Sequence, residues 1–481
     1  MKDVSRRDFL KCGLGGMAAL VVGSGIPWIT KGAHAGVRVD TLNFIITDAI
    51  KDMATHNTIN SAQCYFWIYK EASLPAESPG PTIFATEGDT IRINITNNLD
   101  EPHAFFIPGM FNSGPIAPGQ TIRKFFTAGK GGTYLYHDNL NTPVNRVMGL
   151  HGAFIVMPKG VAEGHKFTPY SHPTPGVQQL FDDFGSTPWF PGLAWEQGDP
   201  ATNTVPFRTY IWLLHQASPN LFAEVGNFTA GQDYPAAQFV NKFLHDPFDP
   251  AKPTTNAIPQ YFTISGQSGH FSHNSPYICP NNRVGEPVVI RLLNAGLWTH
   301  SMHIHANHIY ITSVNGVVQT NPIWVDVFNI FPMGVVDYTN PYMRPPDVPN
   351  VRGIGRADAG LPAGVSGGTT WPPNEELLTY MPGPAPLGVT PFQVLGNLTD
   401  GAGNSLGVQL SPLCYPMHDH SEPSQSSQGG NYNMGMISGM NFTGDRNTPG
   451  SVTSFPNQPV VHGPGPVGVF PPAVPPPWFS E

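Results

Sequence analysis

Cysteine is scarce in this chain of 481 residues, which has four in all, and no two of them form a Cys-x-x-Cys pair. That removes support for structural zinc and for thioredoxin-type dithiol chemistry, both of which use closely spaced thiolates. Charge is sparse as well, at 12% of residues, with 33 acidic against 24 basic side chains and a net charge of −9. Such a chain is poorly matched to a phosphate backbone or an anionic membrane face, so nucleic acid is excluded as the main partner. Past the N-terminal segment, no apolar run is long enough to cross a bilayer. A Gly-rich phosphate loop, a Ser-His-Asp spacing and a paired-carboxylate motif are also missing.

The N-terminal segment reads Ser5-Arg6-Arg7-Asp8-Phe9-Leu10-Lys11, then an apolar Gly-rich stretch from Gly13 to Ile29, then Ala33-His34-Ala35. A charged start, a short apolar core and a small-residue cleavage site make a signal peptide, and the twin arginines point to the Tat route. A short membrane anchor is the alternative. Residues 1–35 are therefore set aside, and the mature protein is expected in the periplasm or outside the cell, with no membrane association after cleavage. Cys64, Cys279 and Cys414 remain. In an oxidising compartment two of the three can pair, without the sequence saying which two.

Glycine and proline are abundant, 52 each, and aromatics make up 11% of the chain. Turn residues between short aromatic and β-branched runs predict an all-β protein. Residues 36–160 read as a first β-sandwich of Greek-key type, with strands at Thr82 to Thr86 and Thr90 to Thr96. It closes with Gly132-Thr133-Tyr134-Leu135-Tyr136-His137 and Gly149-Leu150-His151-Gly152-Ala153-Phe154-Ile155-Val156. Residues 161–205 read as a linker and 206–445 as a second sandwich, with a long Pro/Gly-rich insertion at about 340–396. Residues 446–481 form a Pro/Gly-rich tail, expected to pack as an irregular arm. Glu87-Gly88-Asp89-Thr90-Ile91-Arg92-Ile93-Asn94-Ile95-Thr96-Asn97 recurs in order as Val284-Gly285-Glu286-Pro287-Val288-Val289-Ile290-Arg291-Leu292-Leu293-Asn294, which suggests duplication of one module.

Five of the 18 histidines fall in two short strings, His300-Ser301-Met302-His303-Ile304-His305 and His418-Asp419-His420. Strand alternation puts His303 and His305 on one face, and likewise His418 and His420, while His300 falls on the other side. Two such pairs on adjacent strands make a four-imidazole pocket for copper, zinc, nickel or iron.

These strings resemble the C-terminal cupredoxin domain of multicopper oxidases, and the closing strands of residues 36–160 resemble the last two strands of a cupredoxin domain. The resemblance implies copper, in a number left open. It makes His303, His305, His418 and His420 ligands of the trinuclear cluster and His300 a type 1 copper ligand. Asp419 stands where that family keeps the type 1 cysteine, and carboxylate is a harder ligand than thiolate. A rescue is conceivable through Cys414, four residues before His418, with Met434, Met436 or Met440 as axial ligand; a buried or disulfide-bonded Cys414 is the alternative. In the first domain Phe106-Ile107-Pro108-Gly109 replaces the family's His-Trp-His-Gly, and His137-Asp138-Asn139 replaces His-x-His, so His137 alone survives of four ligands. Pro102-His103 and His137-Asp138 also resemble the copper nitrite reductase pattern, again with aspartate where a cysteine would stand. His103 and His151 could join a site or be structural.

The site that can be assembled is a mononuclear or dinuclear one at the domain interface, from His303, His305, His418, His420 and His137. Asp138, Asp419 and Glu422 are placed either to orient these imidazoles or simply as polar surface. Two functions follow: a copper-dependent oxidoreductase without a type 1 copper, or a non-catalytic copper-binding or assembly protein. The first implies a small-molecule or metal-ion substrate or an electron-transfer partner, and a homo-oligomer stays open because a neighbouring subunit completes the site in two-domain relatives.

Overall fold

The computed structural model describes residues 39–55, 62–183, 207–244, 258–275, 277–283, 288–305, 308–340, 397–399, 405–408, 413–426, 434–444 and 468–470. The leader and most of the 340–396 insertion and the tail lie outside the described residues.

Two sandwiches are built on one plan. In the first, Val39–Met53 pairs antiparallel with Ala62–Glu71 and parallel with Thr90–Asn97, which pairs antiparallel with Thr121–Thr127. In the second, Arg208–Ala217 pairs antiparallel with Tyr261–Ile264 and parallel with Val288–Asn294, which pairs antiparallel with Val335–Asn340. The facing sheets correspond too. Thr82–Thr86, His151–Met157, Gly132–His137 and Phe106–Ile107 follow one another in the first. Asn281–Arg283, Ile437–Gly444, Leu413–Asp419 and His300–Ile304 follow one another in the second, with the same parallel and antiparallel senses. The weak sequence repeat is thus a repeat of topology.

The strand Thr90–Asn97 alternates, with Ile91, Ile93, Ile95 and Asn97 buried, as a strand with one wet face should. Its counterpart Val288–Asn294 is buried at every position because both its faces are covered. Val288, Ile290 and Leu292 join the core of the second sandwich with Trp212, Met302 and Met417. Val289 and Leu293 instead join a core between the sandwiches, with Phe84, Leu135, Ala153 and Ile155 of the first. Apolar burial of this kind contributes roughly 25 cal/mol per Å², so the two modules are held as one body by the same force that holds each core.

Polar contacts also cross this seam. Arg291 is fully buried and reaches Asp337 Oδ2 at 3.1 Å and Thr133 Oγ1 at 3.1 Å, and Thr133 donates to Asp337 Oδ1 at 2.6 Å.

Three segments differ from the sequence reading. Within the linker, Pro175–Asp183 is a helix whose Val177, Leu180 and Phe181 fill the core between the modules. After Ala217 the chain turns into helices Pro219–Gly226 and Ala236–Phe243, capped at the start by Ser218, which accepts from Leu221 N. Leu221, Phe222, Phe239 and Phe243 pack against Phe66 and Tyr65 of the first sandwich. In the tail, Gly468–Phe470 pairs antiparallel with Thr82–Thr86 rather than lying as an irregular arm. That strand is at the sheet's edge, and an edge strand offers backbone groups that a passing segment can satisfy. Cys64 is a buried free thiol and so is not one of the two cysteines that can pair; Cys279 is buried as well. Burial pushes the Cys64 thiol well up, which leaves it an inert core residue.

Candidate metal centre

His303 lies directly opposite His418 in the antiparallel register between His300–Ile304 and Leu413–Asp419. Alternation along the first strand buries His300, Met302 and Ile304 and leaves Ser301 and His303 partly open on the opposite face. Main-chain bonds continue the pairing past the strand ends, from His305 N to Pro416 O at 3.0 Å and from His420 N to Ser301 O at 2.9 Å. The four imidazoles therefore gather on one side of the sheet.

Their ring centroids are 4.9 Å apart for His303 and His305, 5.5 Å for His303 and His418, 5.0 Å for His303 and His420, and 5.0 Å for His305 and His418. Ligand atoms of His303, His418 and His420 all lie within 4.8 Å of one another. His305 Nε2 touches His418 Nε2 at 2.8 Å. His418 is buried and His420 exposed, so the cluster has a wall on one side and water on the other.

Backbone carbonyls fix the tautomers. His418 donates its Nδ1–H to Asp419 O at 2.9 Å, and His303 donates its Nδ1–H to Asp326 O at 3.1 Å. A neutral imidazole that donates from Nδ1 keeps a lone pair on Nε2, the state a metal ligand requires. Burial, seconded by the neighbouring imidazoles and opposed by Asp326, holds His303 below its ordinary value. Burial and the charges of His303, His418 and His420 do the same to His305. Burial thus favours the neutral form at His303 and His305, and the donor set is nitrogen-only and clustered, which fits a copper ion.

His300 is not part of the cluster. Fully buried, it donates Nδ1–H to Asp419 Oδ2 at 2.5 Å, and its Nε2 accepts from the Gln216 amide. Both ring nitrogens are thus taken by protein groups. Asp419 Oδ1 accepts from Ser301 N at 2.6 Å, and the Ser424 hydroxyl donates to Oδ2. Burial pushes the Asp419 carboxyl up, but the hydrogen bonds from His300, Ser424 and Ser301 outweigh it and hold it below its ordinary value. Met436 and Met440 are buried in the neighbouring core, and Met436 O accepts from Asp419 N at 3.1 Å. Cys414 pairs with Asn441 in an unbroken register that runs through Pro416.

His137 occupies the place in the first module that His418 occupies in the second, and likewise donates Nδ1–H to the next residue's carbonyl, Asp138 O, at 2.9 Å. Opposite it stands Phe106, ring centroids 5.3 Å apart, where the second module has His303. His137 is accordingly in the first module, outside the group formed by His303, His418 and His420. Asp138 binds His103, Oδ2 to Nδ1 at 2.7 Å, with both side chains fully buried. Burial pulls the His103 imidazole down, but hydrogen bonds and charge from Asp138 and Glu101 raise it above its ordinary value. The His151 ring lies tilted against that of His215 across the seam, centroids 4.5 Å apart, and burial first of all drives His215 down to about 3.

Sequence reasoning missed Gln216, Ser424 and Asp326, which are fixed only by the approach of separate strands, and it passed over His215 as an ordinary strand residue. Asp419 and Asp138 were visible from their position beside a histidine.

Residues 72–160 match the family described as multicopper oxidase. An L-ascorbate oxidase from Cucumis sativus is 35% identical over 99 residues, 18% of this chain and 16% of that protein. Laccase-24 from Oryza sativa subsp. japonica is 24% identical over 285 residues, 55% of this chain and 38% of that protein. The chain thus spans well under half the length of these curated relatives. Among solved structures, the blue copper oxidase from Nitrosomonas europaea is similar with a TM-score of 0.49 and 16% identity, over 86% of this chain and 90% of that one. Copper nitrite reductase from Nitrosomonas europaea has a TM-score of 0.42 and 14% identity, over 84% and 94%.

Proposed function

We propose that the chain, whose residues 72–160 match the multicopper oxidase family, is an exported copper-dependent oxidoreductase of that kind whose copper is held by His303, His305, His418 and His420, without a type 1 copper. The observation that carries this reading is the opposition of His303 and His418, with His420 grouped with them and the His305 ring 4.9 Å from that of His303 and 5.0 Å from that of His418. Copper in such a site would supply single-electron transfer to and from a bound partner. The chain's own part is to hold the Nδ1–H of His303 and His418 on the carbonyls of Asp326 and Asp419, so that Nε2 is the nitrogen turned to a metal, and to leave the His420 side open to water. Asp138 and Asp419, each hydrogen-bonded to a buried histidine, support the absence of a type 1 copper from both modules. Electrons must then come from the substrate itself or from a partner protein. Export by the Tat route belongs to the same reading and rests on the leader alone.

A second reading, a non-catalytic copper-binding protein, is favoured by Phe106, which stands where the first module would need a histidine. Oxygen consumption by the copper-loaded chain with a phenol or a reduced metal ion as donor separates the two. Consumption that disappears with His303→Ala supports the oxidoreductase. Copper bound with no turnover of any donor, including a reduced small copper protein offered as partner, supports the second.

A further inference from the structure

We propose that Asp419 is a positioning residue for the metal site: its carboxylate locks the strand carrying His303 and His305 to the segment carrying His418 and His420. The proposal rests on the copper reading above and adds to it a residue that does not touch the metal.

Asp419 ties together more of the site than any ligand does. Its Oδ2 takes the Nδ1–H of His300 at 2.5 Å and the Ser424 hydroxyl. Its Oδ1 takes Ser301 N at 2.6 Å and Ser421 N at 3.4 Å. Its own carbonyl receives His418 Nδ1, and its own N–H goes to Met436 O. One buried side chain therefore bonds the start of the His300–Ile304 strand and the turn that leads away from His420. A carboxylate suits this because it accepts in several directions at once and presents no donor to repel these N–H and O–H groups.

The clamp continues into the facing sheet. Gln216 donates its amide to His300 Nε2 and accepts Leu297 N at 2.9 Å through Oε1. Gly296 is glycine because a Cβ there would run into this amide. The tautomer of His300 is thereby set from both sides, amide at Nε2 and carboxylate at Nδ1.

The first module repeats the device. Asp138 takes His103 Nδ1 at 2.7 Å, Leu140 N at 2.8 Å and Asn145 Nδ2 at 3.0 Å, and its carbonyl receives His137 Nδ1. There the opposing position is Phe106, so the same clamp braces a strand pair that lacks a histidine pair. This gives an internal control: losing either clamp costs stability, but losing Asp419 alone should alter the copper.

The test compares copper affinity and the copper EPR spectrum of the purified unaltered chain with those of Asp419→Asn, Asp138→Asn and Ser424→Ala, and of the double variant Asp419→Asn with Gln216→Glu. Asparagine cannot satisfy both edges while Gln216 holds His300 Nε2 as an acceptor: with its oxygen on His300 its amide N–H faces the N–H of Ser301, and with its oxygen on Ser301 its amide N–H faces the Nδ1–H. Moving the carboxylate to residue 216 lets the imidazole reverse its tautomer and restores both bonds. Loss of a group that orients a metal ligand weakens binding by about 10- to 100-fold. Asp419→Asn should fall in that range with a changed EPR spectrum, and the double variant should return to within about threefold of the unaltered chain. Asp138→Asn should leave both readings in place. If Asp419→Asn does not fold, Ser424→Ala removes one donor and should still weaken copper binding and shift the spectrum. Unchanged affinity and spectrum in Asp419→Asn, or in Ser424→Ala where the first is not obtained, overturns the proposal, as does a double variant no better than the single. An unaltered chain that binds no copper overturns the copper reading and this proposal together.

Discussion

Phe106 stands opposite His137 in the first module at the place where His303 stands opposite His418 in the second. The two strand pairs share topology and the same carbonyl hold on the partner imidazole, so one aromatic ring is what separates a half-site from a full pair. Phe106→His should therefore give the chain a second histidine pair. The expected outcome is copper bound in excess of that on the unaltered chain, read by elemental analysis after removal of loose metal; no excess would mean that the first module lacks room for an ion.

Stability should fall in acid because of a histidine far from the candidate centre. His215 is fully buried between the modules, donates to Val147 O at 2.8 Å, and titrates at about 3 in the folded chain. The unfolded chain takes up this proton near pH 6.5. The depressed value means that the stabilisation is fully present above about pH 6.5 and is lost as pH falls toward about 3. Between pH 7 and 4 the loss from this group is on the order of 3 kcal/mol. Denaturant unfolding at the two pH values should show it, and His215→Gln should flatten the dependence; an equal slope in the variant would place the acid sensitivity elsewhere.

The pairs His303/His305 and His418/His420 were legible because strand alternation is a local rule that spacing alone reveals. Their opposition needed only that the two strands be neighbours. Gln216 was not legible: it lies in a strand of the other sheet, and no spacing joins it to His300. The helix Pro219–Gly226 was hidden for a related reason, since Leu221 and Phe222 pack into the first sandwich rather than their own. A local signal existed in Ser218-Pro219, a capping residue followed by proline at the first helical position. The tail strand Gly468–Phe470 adds to an edge through backbone bonds, which proline- and glycine-rich surroundings do not announce.

At the seam, Arg291 and Asp337 are each other's charge partner, both buried. Removing one partner of a buried pair leaves an uncompensated charge and costs about 3–5 kcal/mol. Asp337→Asn should lower stability by about that amount, and Thr133→Val, which removes the hydroxyl's bonds to Arg291 and Asp337 but leaves the ion pair, by about 1.5–3 kcal/mol. Urea unfolding checks both, and a larger effect for Thr133→Val than for Asp337→Asn would contradict this assignment.

The most direct test of the account is copper per chain, with EPR and a visible spectrum on the same exported sample, for the unaltered chain and for the double variant His303→Ala, His418→Ala. The account predicts bound copper with no intense blue band, lost in the double variant. An intense blue band, which would require a cysteine ligand such as Cys414, or copper that persists without His303 and His418, would contradict it.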